Sequence, residues 1–134
     1  MKIYIAATFS EQKRIRKYKE QLIQMGHSVL STWLEEQLRP AEISDEQFNR
    51  KMAAKDLQEI NACDCFILDL NAPSLTLGKA VEYGFALKSH KLLYIVGPPV
   101  SNSIFLLLAD MRFEDWDELF RYFRKNHAQG NRKI

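Results

Sequence analysis

The stretch that decides the fold is Cys65–Leu70, CFILDL, which is followed by a turn-rich loop and then by a helical pattern over Gly78–Ser89. Nearly every residue of CFILDL is apolar, which is typical of a strand buried on both faces of a parallel sheet. The loop Asn71–Leu77 contains Pro73, which cannot continue a central strand. We therefore expect this loop to lie at the carboxyl edge of a parallel sheet.

Strand and helix patterns alternate in both directions from this segment. In chain order they are the strand Lys2–Ala7, a helix from the N-cap Ser10 to Gly26, the strand Ser28–Trp33, a helix from the N-cap Ser44 to about Ile60, the strand Cys65–Leu70, the helix Gly78–Ser89, the strand Leu92–Val96, a short helix at Asn102–Ala109, the strand Met111–Phe113 and a last helix from Glu114.

Strict alternation predicts an α/β protein with a parallel sheet and helices on both faces. Because crossovers between parallel strands are right-handed, the favoured topology is a single doubly wound, flavodoxin-like sheet of five strands. We expect one domain over residues 1–126, followed by a basic polar tail at 127–134.

The composition excludes several classes of protein. The chain has 134 residues, 46% of them hydrophobic, which suits one ordinary domain with one core. Its net charge of +2 is too balanced for a dedicated nucleic-acid binder. No apolar run reaches the roughly 18–20 residues that cross a bilayer, and the N-terminus lacks the pattern of a signal peptide. We therefore expect neither a membrane nor a nucleic-acid polymer as a partner.

The residues that usually bind metals or phosphates form no recognisable motif. Cys63 and Cys65 are spaced too closely in a predicted strand for an unstrained disulfide, and reduced core thiols indicate a cytoplasmic protein. The histidines His27, His90 and His127 are scattered. The sequence has no P-loop, no GxGxxG after the first strand and no GxSxG. We expect no metal and no cofactor.

A ligand should bind where the strands end. In open parallel sheets, ligands bind beyond the carboxyl ends of the strands, which places the site after Ala7, Trp33, Leu70 and Gly97. The loop after the third strand offers hydroxyl groups, a glycine that allows close approach of a ligand, and the N-terminus of a helix. These candidate residues are Ser74, Thr76 and Gly78.

Two carboxyl groups stand out against the helical patterns that contain them. Glu82 has only Gly78 and Ala86 one turn away, so it is either a solvated helix residue or a side chain that faces a ligand. Asp56 lies on or beside an apolar stripe that includes Met52 and Ile60, and an unpaired buried carboxylate is unfavourable. Asp56 therefore needs access to water, a partner or a cleft.

Three further residues have open interpretations. Tyr4 lies among apolar residues of the first strand, where core packing with a bonded hydroxyl is the ordinary role. Trp33, at the predicted end of the second strand, suits either packing or stacking on a base. Asp69, near the end of the third strand, is placed to face the cleft.

The segments KIYIAATFS, AAKDLQEINACDCFILDL and SLTLGKAVEYGFALKSHKLLYIVG together resemble the nucleoside 2-deoxyribosyltransferase family, including its nucleotide N-glycosidase branch, over residues 1–125. The pattern is G-x-x-x-E-x-G-x-A, with an Asp 26 residues before the Glu. The resemblance implies that Glu82 is the nucleophile, that Asp56 contacts the base and assists its protonation, and that Tyr4 positions Glu82. It thus favours the interpretation of Glu82 as a catalytic residue.

The substrate-binding residues depart from the family pattern. Six residues before Glu82, the transferases carry an acid and the nucleotide-hydrolysing branch a serine, whereas this chain has Thr76. The loop Thr8-Phe9-Ser10, whose first two residues we expect to touch substrate, lacks the glycines that the nucleotide branch places around phosphate. The resemblance therefore does not decide whether the substrate is a nucleoside or a nucleotide, or whether the reaction is hydrolysis or base exchange.

The resemblance also implies a homodimer or higher homo-oligomer with sites shared across the interface. In the family, a neighbouring subunit donates a polar residue from the segment after the fourth strand, and Asn102 and Ser103 are the candidates here. Two alternatives to an enzyme remain: a non-catalytic protein that binds nucleotides or sequesters nucleotide signals on the same scaffold, and a different α/β module such as a receiver or flavodoxin-like protein.

Overall fold

The computed structural model describes residues 1–36, 44–71, 76–98 and 103–132 and contains a five-stranded sheet in the order β2-β1-β3-β4-β5. Every neighbouring pair of strands is parallel. The strands are β1 Lys2–Ala6, β2 Ser28–Val29, β3 Cys65–Asp69, β4 Leu92–Val96 and β5 Met111–Phe113. The helices are α1 Gln12–Gln24, α2 Asp45–Ala62, α3 Leu77–Lys88 and α4 Trp116–Arg132. The predicted doubly wound, flavodoxin-like fold is confirmed.

The centre of the sheet is β3, as its apolar sequence predicts. All five of its residues are buried, and it pairs with β1 on one side and β4 on the other. The side chains of β1 from Ile3 to Ala6 are buried too. The ends of β3 and β4 approach closely at Gly97. Its φ is +131°, and a Cβ atom at this position would lie only 2.8 Å from the carbonyl carbon of Leu70, so only glycine fits.

Helix caps fix where α2 and α3 begin. Ser44 and Gln47 form a reciprocal capping box at the start of α2. The Thr76 hydroxyl accepts a hydrogen bond from the Lys79 amide at the start of α3. These two caps place α2 and α3 against one face of the sheet, beside β1.

Some predicted elements differ in extent. The strand predicted over Ser28–Trp33 ends at Val29, and Trp33 lies instead in a 3-10 turn over Thr32–Glu35. The backbone pairing of β1 with β2 ends here because side-chain hydrogen bonds take its place. Ser31 Oγ accepts from the Ile5 amide at 2.6 Å, and Trp33 Nε1 donates to the Ile5 carbonyl at 2.8 Å.

The other differences concern helices. The short helix predicted over Asn102–Ala109 is a 3-10 helix over Ile104–Leu108. The segment predicted as a tail from residue 127 continues α4 as far as Arg132. Within the described ranges, no helix combines the length and the apolar character needed to cross a membrane.

Candidate active site

A cavity of about 320 Å³ opens between the end of β1, the 3-10 turn that holds Trp33, and the helices α2 and α3. It lies at the carboxyl edge of β1, where the parallel sheet predicts a ligand. Its walls are Ala7, Phe9, Trp33, Phe48, Asn49, Met52, Asp56 and Glu82. Four of the residues predicted from sequence therefore meet here: Phe9, Trp33, Asp56 and Glu82.

Tyr4 supports this cavity from the sheet. Its side chain is fully buried and stacks on Phe66, with 5.8 Å between the ring centroids. The Tyr4 hydroxyl lies beside the Glu82 carboxylate, near enough to stabilise the charged carboxylate. The hydroxyl and the carboxylate are nevertheless not aligned as a formed hydrogen bond.

Three buried side-chain atoms lack a hydrogen-bond partner among the described residues: Tyr4 Oη, Asp56 Oδ1 and Glu82 Oε2. Buried polar atoms in folded proteins nearly always have a partner, because an unsatisfied group costs about 1–3 kcal/mol. The three residues come from β1, α2 and α3, and they are the ones predicted from sequence to carry the chemistry. Two of them, Asp56 and Glu82, line the cavity, and Tyr4 lies beside Glu82.

The two carboxyl groups hold protons more tightly than ordinary acids. Burial raises the pKa of Glu82 from 4.5 to about 7; the Tyr4 hydroxyl opposes this shift, and the charges of Asp56 and Glu59 add to it. Burial, with the charge of Glu59, raises the pKa of Asp56 from 3.8 to about 6, against the effect of Lys55. Near neutral pH each carboxyl group therefore holds a proton in part of the population.

Tyr4 stays neutral beside this pair. Its burial, followed by the negative charges of Glu82 and Asp56, raises its pKa above that of an ordinary phenol. A neutral phenol can donate a hydrogen bond to a carboxylate without giving up its proton. Tyr4 is therefore suited to orient and stabilise the ionised form of Glu82.

The outer wall of the cavity is aromatic. The rings of Phe9 and Trp33 are tilted neighbours, with centroids 6.3 Å apart. Trp33 is fixed by its bond to Ile5, and Gln12 Nε2 donates to the Trp33 carbonyl at 2.6 Å. Phe9, in contrast, is 56% exposed. One rigid ring and one exposed ring suit contact with a flat, partly apolar ligand.

Asp69 is not among the cavity walls. It is buried and receives two bonds from Arg14, at 2.9 and 3.1 Å, and one from Trp116 Nε1 at 2.7 Å. It also accepts from the Asn71 amide at 3.1 Å. The structure thus shows Asp69 anchoring the start of the loop that leads to α3.

The remaining predicted binding residues are distributed around the site. The Thr8 hydroxyl bonds to Lys79 Nζ at 3.2 Å, and exposed Thr76 and Gly78 begin α3. Ser103 lines a second cavity, of about 290 Å³, between α3 and the 3-10 helix. Ser74 and Asn102 lie outside the described residues.

Sequence reasoning missed part of the α2 wall. The cavity is lined by Phe48, Asn49 and Met52 of α2, and Met52 belongs to the apolar stripe beside Asp56. The position of Asp56 on that stripe was the available signal, since it showed that the stripe does not face a dry core. Glu59, one turn on, was also missed; its carboxylate accepts from the Thr32 amide and hydroxyl at 3.2 and 2.6 Å.

Within the described parts of the chain, no group of three or more His, Cys, Asp or Glu side chains is arranged to hold a metal ion. The chemistry that these side chains offer is that of a carboxylate nucleophile and a carboxylic acid facing one cavity.

Comparison with solved structures supports the fold. A 2-deoxyribosyltransferase from Bacillus psychrosaccharolyticus is 24% identical, with a TM-score of 0.73 and coverage of 89% of this chain and 90% of that one. A CMP N-glycosidase from Clostridium botulinum is 20% identical, with a TM-score of 0.58 and coverage of 95% and 99%. A conserved protein from Enterococcus faecalis is 13% identical, with a TM-score of 0.77 and coverage of 94% and 98%.

The sequence itself identifies the family. No curated protein matches the chain significantly. The family model described as nucleoside 2-deoxyribosyltransferase, however, matches residues 3–119, which include every residue at the cavity. The resemblance predicted from the sequence motifs is thereby confirmed, and the chain belongs to the nucleoside 2-deoxyribosyltransferase family.

Proposed function

We propose that this protein cleaves or transfers the N-glycosidic bond of a nucleoside or nucleoside 5′-monophosphate through a covalent glycosyl ester on Glu82. The observation that carries the proposal is that Asp56 and Glu82 line one cavity and Tyr4 lies beside Glu82, while each of the three residues has a buried polar atom without a described hydrogen-bond partner. A merely structural site would pair these groups with each other or with water-exposed partners. In this protein, the unused hydrogen-bonding atoms of these side chains are available to bind a ligand.

In the first step, a Glu82 oxygen bonds to the anomeric carbon as the bond from that carbon to the base nitrogen breaks. The departing base takes the bonding electron pair and needs a proton. Asp56 is placed to supply it, and the productive form has Asp56 protonated and Glu82 ionised. With pKa values of about 6 and about 7, this form is the minority of the singly protonated population near neutral pH. The products of this step are the glycosyl ester, the free base and an ionised Asp56.

In the second step, water or another base attacks the anomeric carbon and releases Glu82 as a carboxylate. Asp56 accepts the proton that the attacking molecule loses. Each step inverts the anomeric carbon, so the product retains the configuration of the substrate. Tyr4 donates its hydrogen bond most strongly when Glu82 is ionised, which favours the nucleophile before attack and the leaving carboxylate afterwards.

Two of the similar structures are a 2-deoxyribosyltransferase and a CMP N-glycosidase. In the mechanism proposed for this chain, base transfer and hydrolysis share the first step and differ only in what attacks the ester. The aromatic and apolar walls formed by Phe9, Trp33 and Phe48 suit the base in either reaction.

We further propose that the site is completed in a homodimer. The face formed by α3 and the 3-10 helix after β4 exposes large apolar side chains, namely Leu77, Val81, Ile104, Phe105, Leu107 and Leu108. Leu77 and Val81 of α3 are both more than half exposed. Exposed apolar surface of this kind favours contact between subunits, and Ser103 directly precedes Ile104 in the chain.

The primary test is base release. Replacing Glu82 by alanine should lower the rate of base release by about 10⁴-fold or more, because the nucleophile is lost. The measurement is chromatography of free base from a panel of nucleosides and 5′-monophosphates, with and without a second base. Glu20→Ala, at an exposed position on α1, is the matched control. Normal turnover by the Glu82 variant would remove the proposal.

The pH dependence of kcat/KM should be bell-shaped around neutral pH, because the productive form holds one proton across Glu82 and Asp56. In Asp56→Asn the basic limb should disappear, since an amide has no proton to lose. The remaining acidic limb should then report the pKa of Glu82 alone, at a value below about 7 because the Asp56 charge no longer raises it. A pH profile unchanged by this substitution would contradict the assigned roles.

The buried carboxyl should also reduce stability at high pH. The pKa of Glu82 is 4.5 in the unfolded chain and is raised to about 7 in the folded state. Ionisation of this group therefore does not lower the free energy of unfolding below pH 4.5 and lowers it most above pH 7. Glu82→Gln should therefore raise the free energy of unfolding at pH 8 by up to about 3 kcal/mol, and much less at pH 4.5. Urea titrations at both pH values, with Glu20→Gln as control, measure this; a pH-independent difference would argue against burial of the charge.

The dimer is tested by charge insertion. Leu107→Asp should dissociate the assembly, because 77% of Leu107 is exposed in the monomer and an aspartate cannot be buried unpaired in an interface. Ile23→Asp on α1 is the control, since Ile23 is also exposed but lies elsewhere. Sedimentation velocity gives the mass of each variant. A wild-type chain that stays monomeric at all concentrations would overturn this part of the proposal.

A further inference from the structure

Glu59 is a carboxylate close to the proposed site, and hydrogen bonds fix its position. It is half-buried near the C-terminal end of α2. Both of its oxygens are held by Thr32: Oε1 accepts from the Thr32 amide at 3.2 Å, and Oε2 accepts from the Thr32 hydroxyl at 2.6 Å. Thr32 directly precedes Trp33, which forms a wall of the cavity. Glu59 is therefore attached to the turn that carries this ring.

The spacing along α2 places Glu59 beside Asp56. Glu59 lies three residues after Asp56, and side chains with this spacing share one side of a helix, with about 5–6 Å between their Cβ atoms. The Asp56 carboxyl group is half-buried, and its Oδ1 has no hydrogen-bond partner among the described residues. A like charge nearby disfavours ionisation, so the charge of Glu59 favours a proton on Asp56.

The charges on either side of Asp56 do not cancel. Lys55, whose charge would favour ionised Asp56, is itself paired with the carboxylate of Glu36. Within the part of the chain that the structure describes, no lysine, arginine or histidine nitrogen lies within 4.0 Å of the Glu59 carboxylate. Glu59 thus acts on Asp56 with a negative charge that no described cation contacts.

Asp56 also interacts with groups from two other elements, Tyr4 of β1 and Glu82 of α3. Tyr4 is neutral. Burial and then the charge of Glu59 raise the pKa of Asp56 to about 6, against the effect of Lys55. In Glu82 the charge of Glu59 contributes after burial, the Tyr4 hydroxyl and the charge of Asp56. Glu59 is therefore the main charge that favours a proton on Asp56 and a lesser influence on Glu82.

We propose that Glu59 is a positioning residue for the proton of the reaction: its negative charge, fixed by Thr32, keeps that proton on Asp56, where the departing base needs it. This inference rests on the proposed function of the cavity. Glu59 forms no bond to the substrate and exchanges no proton, because the proton passes from Asp56 to the base nitrogen. Its charge enlarges the share of enzyme in which Asp56 is protonated and Glu82 is ionised.

The alternative role of Glu59 is a strut that joins α2 to the 3-10 turn through Thr32. Loss of a strut would lower turnover by the same factor at every pH. Loss of a charge instead alters protonation, so its effect depends on pH. The pH dependence of kcat/KM separates the two roles.

The decisive variant is Glu59→Gln, which removes the charge and keeps the shape. The glutamine oxygen can accept from the Thr32 amide, and its NH2 group can donate to the Thr32 hydroxyl oxygen. At pH 8, kcat/KM follows the fraction of enzyme that still has a proton on Asp56, so it should fall by roughly 3- to 30-fold. At pH 5.5 it should stay the same or rise, because loss of the charge also favours ionisation of Glu82. Glu59→Asp, which keeps a charge, should retain more of kcat/KM at pH 8.

Glu46→Gln is the matched control, since Glu46 is an exposed glutamate of the same helix. It lies ten residues before Asp56, which is about 15 Å along the helix axis. Its kcat/KM should equal that of the wild type at both pH values. An equal loss at pH 5.5 and pH 8 in Glu59→Gln would overturn the inference and leave Glu59 as a strut.

A second measurement needs no turnover. Carbon NMR of labelled aspartate carboxyl groups follows the titration of Asp56, whose midpoint should move to lower pH by about 0.5–1.5 pH units in Glu59→Gln and stay in place in Glu46→Gln. An unchanged midpoint in Glu59→Gln would overturn the inference even in an active enzyme. Absence of base release by the wild type would instead refute the proposed function, whatever the titration shows.

Thr32→Val decides the question should Glu59→Gln fail to fold. This variant keeps the charge of Glu59 and removes the hydroxyl that holds it. A smaller shift of the Asp56 midpoint in the same direction supports the inference, and no shift overturns it.

Discussion

The burial of the Glu82 carboxyl group beside Tyr4 and Asp56 is the constraint on which the rest of this site depends. Withdrawal from water raises the pKa of Glu82 to about 7, and nothing in the described fold compensates by satisfying Oε2. Such an arrangement is unfavourable for folding and useful for chemistry. It leaves a carboxylate with reduced solvation facing a cavity in which a developing positive charge would stabilise it.

The sheet makes this burial possible. Tyr4 reaches the site from β1, and its buried ring stacks on Phe66 of the neighbouring strand β3. The capped starts of α2 and α3 bring Asp56 and Glu82 towards the same ring. On the other side, the bonds of Asp69 to Arg14 and Trp116 hold the end of β3, from which the chain leads to α3. The groups proposed to be catalytic are thus carried on regular elements, which suits precise placement.

Much of this was predictable from local patterns. The apolar run CFILDL and the alternation of elements determine a parallel sheet, because few other arrangements bury such a strand on both faces. The motif around Glu82 and the spacing to Asp56 identified the residues that meet at the cavity. Sequence periodicity did not predict the end of β2, where side-chain hydrogen bonds determine the backbone conformation. The bonds of Ser31 and Trp33 to Ile5 end β2 after Val29, and no local pattern announces them.

Periodicity also does not reveal what an apolar face packs against. Phe48 and Met52 of α2 read as core residues but line a cavity, and Leu77 and Val81 of α3 are exposed. Asp69 was placed in the cleft because of its position at a strand end, whereas a distant arginine and tryptophan occupy its oxygens. Each of these outcomes depends on contacts between residues that are remote in the chain, which a single sequence does not specify.

The central claim is that the sugar becomes covalently attached to Glu82. Its most direct measurement is intact-protein and peptide mass spectrometry after incubation with 2-fluoro-2-deoxy nucleosides and their 5′-monophosphates, whose fluorine slows hydrolysis of the ester. The account predicts a mass increase equal to the fluorinated sugar, or sugar phosphate, located on the peptide that contains Glu82. An adduct on another residue, or release of base from these compounds with no adduct, would contradict it.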